Sequence, residues 1–380
     1  MLINSILRNT DLVYNQNDLE LLYTYKQFPT FMGCVKTQQE NDILFDMNWY
    51  ISKSSGMLQL NPLLPLEVVY QTSHYSGTVG KLWDEHHSQF AEFILKHSPE
   101  NVLEIGGLHG TLAKKCKSVK NINWTIIDPN PSQLEKYNIN TIKGFFDEHF
   151  VPDKKYQTII HSHLLEHVYD INKFLLNIQH LLKSCAGKMM FSVPNMKIML
   201  QRNYTNCLNF EHTYYISEEF IEYYLSKYNF LIIEKQYFKD DHSIFYYATY
   251  NKNNAAPVNI NYYQENKNLF SKYITNALEE IKKINEKIIA HKGNIYLFGG
   301  HVFSQYLIAY GLNTEKIKCL LDNDINKQKC RLYGTHLIVE SPQILKEDSN
   351  PLVILKAGVY NNEIKTDILN NINKNTVIIE

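Results

Sequence analysis

From Asn101 to Tyr250, five short apolar or β-branched runs, NVLEIG, NWTIID, NTIKG, YQTIIHSH and KMMFSV, alternate with stretches of helical periodicity. Runs of this length suit strands buried on both faces, and the helical stretches between them supply the crossovers that parallel strands need. A parallel α/β sheet is the expected outcome. Two further runs, FLIIEKQYF and SIFYYATY, are separated only by KDDH. That is too short for a crossover helix, so the last strand must run antiparallel to its neighbour, which makes seven strands ending in a hairpin.

The sheet accounts for less than half of the 380 residues, and a chain of that length holds two or three cores. KNNAAPVNINYY, from Lys252, polar and carrying Pro257, reads as a linker. Beyond it, NLFSKYITNALEEIKKINEKIIAHKG has helical spacing, and IYLFGG, IKCLLDND and PLVILKAGV repeat the strand and helix alternation. The chain therefore divides into an accessory region, 1–85, the seven-stranded α/β unit, 86–252, and a second, Rossmann-like α/β domain, 253–380. Within the first, ILFDMNWYISKSSGMLQLNP reads as short strands among mixed neighbours.

Hydrophobic residues make up 44% and charged residues 20%, enough apolar material for packed cores throughout. Lys and Arg number 38 against 39 Asp and Glu, so no net field favours a polyanion, and nucleic acid is not an expected partner. The six cysteines form no C-x-x-C pair, which suggests neither a disulfide framework nor a zinc ribbon. No run of about 18 apolar residues appears, so the expectation is a soluble, cytoplasmic protein with no membrane partner. A homo-oligomer is compatible with these properties.

In NVLEIGGLHGTLAKKC, Glu104 ends a strand, Gly106, Gly107 and Gly110 make the turn, and a helix follows. Such a turn lets backbone N–H groups and a helix start approach a ligand closely, although any doubly wound fold also needs tight turns there. A nicotinamide site would require G-x-G-x-x-G, which this spacing lacks. Asp128 ends the second strand, about 24 residues after Glu104, where a carboxylate accepts ribose hydroxyls. Phe145 and Phe146 follow the third strand and are placed to sandwich an adenine. Glu104 to Gly110 matches E-x-G-x-x-x-G, and with the terminal antiparallel hairpin the chain resembles the class I methyltransferases that use S-adenosylmethionine. The resemblance implies a cofactor site of Glu104, Gly106, Gly107, Gly110, Asp128, Phe145, Phe146 and His161.

His161, His163, Glu166 and His167 crowd the carboxyl end of the fourth strand, where open α/β sheets bind ligands. Read as one helix continuing through Leu182, the segment places His163, Glu166 and His167 at i, i+3 and i+4, so their heads converge. Two imidazoles and a carboxylate with open positions suit iron, manganese or zinc. Leu-Glu-His-Val is also common in methyltransferases of this class merely to close the helix onto the sheet, and both readings stand. Glu211 and His212, in NFEHTYYIS after the fifth strand, lie over the same edge. The pattern resembles the plant-type small-RNA 2'-O-methyltransferases, whose E-x-x-E-H and a later histidine hold a divalent cation; here it reads H-x-x-E-H. That resemblance implies His163, Glu166, His167 and His212 as metal ligands, with Fe2+ or Mn2+ favoured over Mg2+ or Zn2+.

Over about two thirds of its length the chain also resembles the three-part deoxysugar C-methyltransferases that act on nucleotide-linked sugars. SSGMLQLNPLLPLEVVYQTSHYSGT is similar to that family's N-terminal region, and IYLFGGHVFSQYLIAYGL to its last domain. Two departures matter. Ser52 and Ser55 stand where zinc cysteines would be, so no structural zinc is expected there. The family's H-E-H reads Phe210-Glu211-His212, with Tyr215 and Ser217 in register. Losing one histidine of the loop that deprotonates a keto-sugar, while gaining H-x-x-E-H, shifts the expectation from carbon to oxygen.

The expected function is thus S-adenosylmethionine-dependent methylation of a hydroxyl on a nucleotide-activated sugar, assisted by a divalent metal, in surface polysaccharide or glycoconjugate biosynthesis. His167, Glu211 and His212 are the expected catalytic groups. Metal-free C-methylation of a keto-deoxysugar, with His212 as base, is the alternative; a non-catalytic binding protein of the same fold and an RNA methyltransferase are further ones. Gly299, Gly300 and His301, in a βα turn of the last domain, either receive the sugar nucleotide's diphosphate or only make the turn.

Overall fold

The computed structural model describes residues 3–70 and 80–380. Gln71 to Thr78, the end of the stretch resembling the sugar methyltransferases' N-terminal region, lie outside the described residues. The seven runs read from the sequence are seven strands of one sheet. Across it they lie in the order Phe230–Phe238, Ser243–Tyr250, Lys188–Pro194, Thr158–Ser162, Val102–Ile105, Trp124–Asp128, Asn140–Lys143. Six run in the same direction, and Ser243–Tyr250 is antiparallel to both of its neighbours. The short helix Lys239–His242 fills the hairpin connection.

The central strands are buried on both faces, as continuous apolar runs require. The helix after the fourth strand departs from its sequence reading: it begins only at Ile171, where the Asp170 carboxylate accepts the Lys173 N–H at 3.0 Å. Before it, Leu165–His167 is a single 3-10 turn, and His163 has a left-handed φ of 47°. The helical spacing of His163, Glu166 and His167 therefore does not hold.

The strands Leu19–Pro29, Leu44–Ser52 and Leu58–Leu60 form a small antiparallel sheet. Its edge recruits a segment far along the chain: Leu60 N–H donates to the Thr213 carbonyl and Tyr215 N–H to the Leu58 carbonyl, each at 2.9 Å. Arg8, buried, donates to the carbonyls of Thr213 at 3.1 Å and Tyr169 at 2.7 Å. The N-terminal region thus holds the loop that carries Glu211 and His212. At the turn where zinc cysteines would stand, the Ser55 hydroxyl donates to Asp11 Oδ1 at 2.8 Å and Ser54 N–H to Asp18 Oδ2 at 2.6 Å.

The helix Tyr263–Ala290 leads into the last sheet, with Phe270, Tyr273, Ala277, Ile281, Ile284 and Ile288 forming its buried stripe. That sheet has five parallel strands in the order Val339–Glu340, Ile317–Leu321, Ile295–Phe298, Leu352–Leu355, Val377–Ile379. At its glycine turn Gly300 N–H already donates to Asp322 Oδ2, at 2.9 Å, and Asp322 pairs with Lys327 at 3.2 Å. A carboxylate stands where a diphosphate would have to bind, which disfavours that reading of Gly299 to His301. Among the described residues no helix is long and apolar enough to cross a membrane.

Candidate active site

The turn after Val102–Ile105 is shaped by its glycines. Gly110 has φ 63°, and a Cβ at Gly107 would lie 2.8 Å from the Glu104 carboxyl carbon and 2.9 Å from Ile126 Cγ2. Glu104, nearly fully buried, accepts the Trp124 indole N–H at 2.7 Å. Burial pushes its carboxyl up to about 7, against the indole bond and with some help from Asp128. Asp128 accepts Leu108 N–H at 3.1 Å on one oxygen and Asn130 N–H at 2.8 Å on the other. Each oxygen keeps a lone pair for a ribose hydroxyl.

This cradle fits S-adenosylmethionine: a side-chain-free turn, a helix start at Thr111, and a carboxylate at the next strand end. Phe145 is exposed, whereas Phe146 turns inward, with ring centroids 5.4 Å from Phe150 and 5.6 Å from Phe174. His161 is fully buried, stacked on Phe191 at 4.9 Å and edge-on to Phe174. Its surroundings hold it neutral, with burial taking its pKa down to about 3. The structure places it beneath the strand ends, in the sheet core.

Across the loop after Thr158–Ser162, Glu166, His167 and His212 converge. One ligand atom of each lies within 4.8 Å of those of the other two. Glu166 is fully buried, and among the described residues no well-aligned hydrogen bond satisfies either carboxylate oxygen, although His163 Nδ1 stands 3.3 Å from Oε1. Burial alone would raise this carboxyl, but the imidazoles of His163, His167 and His212 outweigh it and hold it at about 2. His212 Nδ1 lies 2.9 Å from the Cys207 carbonyl, which fixes the proton on that nitrogen and leaves Nε2 as an acceptor. Desolvation, then the adjacent His212, lowers His167 to about 4, so the His167 ring is neutral at pH 7.

Of the four expected metal ligands, three meet and the fourth turns aside. His163 touches Glu166, Nδ1 to Oε1 at 3.3 Å, but its ring packs with His86 and His242. Glu211 Oε2 sits 3.7 Å from His167 Nδ1, and the Tyr70 hydroxyl 3.1 Å from the same nitrogen. Asn209, unnoticed in the sequence, pins the loop by accepting both Glu211 N–H and His212 N–H, at 2.8 and 2.9 Å. An Asn two residues before Glu-His is an Asx-turn signal that would have marked it. Two imidazoles and a buried carboxylate fit a divalent ion with open positions, and such an ion would polarise a coordinated oxygen.

A family model described as a methyltransferase domain matches residues 77–235. No curated protein sequence matches the chain. Among solved structures, the chain is similar to the magnesium protoporphyrin IX methyltransferase of Synechocystis PCC 6803 with bound S-adenosylhomocysteine, at 12% identity and a TM-score of 0.37, over 46% of this chain and 90% of that one. The N-methyltransferase NodS of Bradyrhizobium japonicum aligns at 16% identity and a TM-score of 0.35, over 46% and 99% of the two chains. Protein PH0226 of Pyrococcus horikoshii aligns at 14% and 0.38, over 48% and 98%. With the family match laid over this strand order and the Glu104 to Gly110 turn, the middle of the chain is a class I S-adenosylmethionine-dependent methyltransferase domain.

Proposed function

We propose that the domain methylates a hydroxyl oxygen of a nucleotide-activated sugar, with a divalent cation held by Glu166, His167 and His212. The observation that carries this is the fully buried Glu166 carboxylate, which converges with ligand nitrogens of His167 and His212 to within 4.8 Å. A buried charge needs a counter-charge, and a mixed imidazole and carboxylate set prefers Fe2+ or Mn2+ to Mg2+. The sugar substrate, and a place in glycoconjugate or surface polysaccharide synthesis in the cytoplasm, rest on the resemblance of all three regions to the nucleotide-sugar enzymes.

S-adenosylmethionine supplies a methyl sulfonium that needs no electrophilic activation, and a cation would lower the pKa of a hydroxyl beside it. The chain's own residues do the rest. Asp128 and the glycine turn fix the cofactor, and Asn209 and Arg8 hold the loop of Glu211 and His212 in place. His167, a cation ligand in this reading, is oriented at Nδ1 by Glu211 and the Tyr70 hydroxyl, and Glu211 is the carboxylate placed to receive the hydroxyl proton.

A second reading draws on that same contact. His167 backed by Glu211 is also a competent base for removing a proton beside a ketone, which supports metal-free C-methylation of a keto-sugar. The test is a metal-replete screen of nucleotide sugars with S-adenosylmethionine, read by mass shift and repeated after chelation. Loss of transfer on chelation supports the metal-assisted reading, and unchanged transfer favours the metal-free one.

A further inference from the structure

We propose that His86, His163 and His242 form a transition-metal site of their own, separate from Glu166, His167 and His212 and suited to zinc(II). One ligand nitrogen of each histidine lies within 4.8 Å of those of the other two. They come from three elements: the helix Lys81–Lys96, the residue after the strand Thr158–Ser162, and the end of the hairpin's short helix Lys239–His242. No local sequence rule brings them together, only the strand order does.

His86 is fully buried, with the rings of Phe238 and Phe245 each 5.3 Å away. Its Nε2 lies 2.9 Å from the Ser192 hydroxyl, but Nδ1 has no hydrogen-bond partner among the described residues. Burying a ring nitrogen unsatisfied costs free energy that a ligand would return. The outer contacts have the form that orients ligating imidazoles. His163 Nδ1 faces the Glu166 carboxylate at 3.3 Å while Nε2 lies 2.8 Å from the Ser243 hydroxyl. His242 Nδ1 lies 2.5 Å from the same hydroxyl, which makes Ser243 an oxygen donor at the cluster.

Backbone strain points the same way. His163 holds a φ of 47°, which a side chain rarely adopts and which the surroundings must enforce; the turn sends its ring toward His86 and His242. Trp83 closes one side, its ring centroid 4.9 Å from His163 and 5.0 Å from His242. Imidazoles with neither thiolate nor carboxylate in the first set match a His-only zinc site. A zinc ion there would tie the helix Lys81–Lys96 and the hairpin to the loop of Glu166.

The full-length chain, stripped and dialysed against zinc alone, tests this by metal content. His86→Phe and His242→Gln should each hold one zinc fewer than the parent protein, while His212→Ala keeps this zinc. Ser243→Ala should weaken binding by on the order of 10-fold. Equal zinc in the parent, His86→Phe and His242→Gln proteins would overturn the proposal. Should those two variants fail to fold, X-ray absorption on the zinc form of His212→Ala decides. A shell of three imidazoles supports the site, and a shell with fewer imidazoles, or no bound zinc, refutes it.

Discussion

His163 Nδ1 lies 3.3 Å from Glu166 Oε1, so a single imidazole on a left-handed backbone joins two clusters of metal-competent side chains. On one side Glu166 meets His167 and His212; on the other, His163 meets His86 and His242. The consequences are separable by substitution.

Replacing Glu166 by Gln keeps the shape and removes the charge that the two imidazoles face. Methyl transfer should fall by at least ~100-fold while S-adenosylmethionine affinity stays near that of the parent, because Glu166 does not belong to the Glu104 to Asp128 cradle. Steady-state kinetics beside calorimetry of cofactor binding reads both.

Asp128→Ala attacks the cradle instead. It removes the acceptor of two backbone N–H groups and the carboxylate we propose for the ribose hydroxyls, interactions of about 1.5–3 kcal/mol each when charged. Calorimetry should show cofactor binding weakened by roughly 10- to 100-fold.

Arg8 is far in sequence from the chemistry yet bonds the carbonyls of Thr213 and Tyr169. Arg8→Ala leaves those carbonyls short of donors, at a cost of about 1–3 kcal/mol, and loosens the Glu211 and His212 loop. The expected signature is a lower kcat and a lower melting temperature with cofactor affinity largely kept.

Glu104 gives a pH signature. Its folded carboxyl titrates at about 7 against 4.5 for an ordinary glutamate, so between these values the folded state holds the extra proton. Stability should therefore fall as pH rises from about 4.5 to about 7 and level off above, by on the order of 3 kcal/mol from this group. Urea midpoints across that range check it, and Glu104→Gln, which keeps an acceptor for Trp124, should flatten that part of the slope.

Much of this was legible in the sequence. The seven strands could be read because each is a continuous apolar run, and the KDDH connection forced the antiparallel last strand. The helix start was misplaced because Leu165 and Val168 fit helical spacing; Asp170, a capping residue type before Ile171, carried the contrary signal. With the helix starting at Ile171, His163 lies outside it and its ring turns toward His86 and His242. The N-terminal strands stayed obscure because one of them pairs with Thr213 and Tyr215, a partnership no local pattern can display. His86 and His242 were invisible for the same reason.

The central claim is transfer to oxygen at a cation held by Glu166, His167 and His212. NMR of the product made with methyl-labelled S-adenosylmethionine, from protein chelated and then restored with Mn2+ or Fe2+, tests it most directly. The labelled methyl should be bonded to oxygen, lost on chelation and regained with the metal. A methyl bonded to carbon, or full transfer after exhaustive chelation, would contradict it.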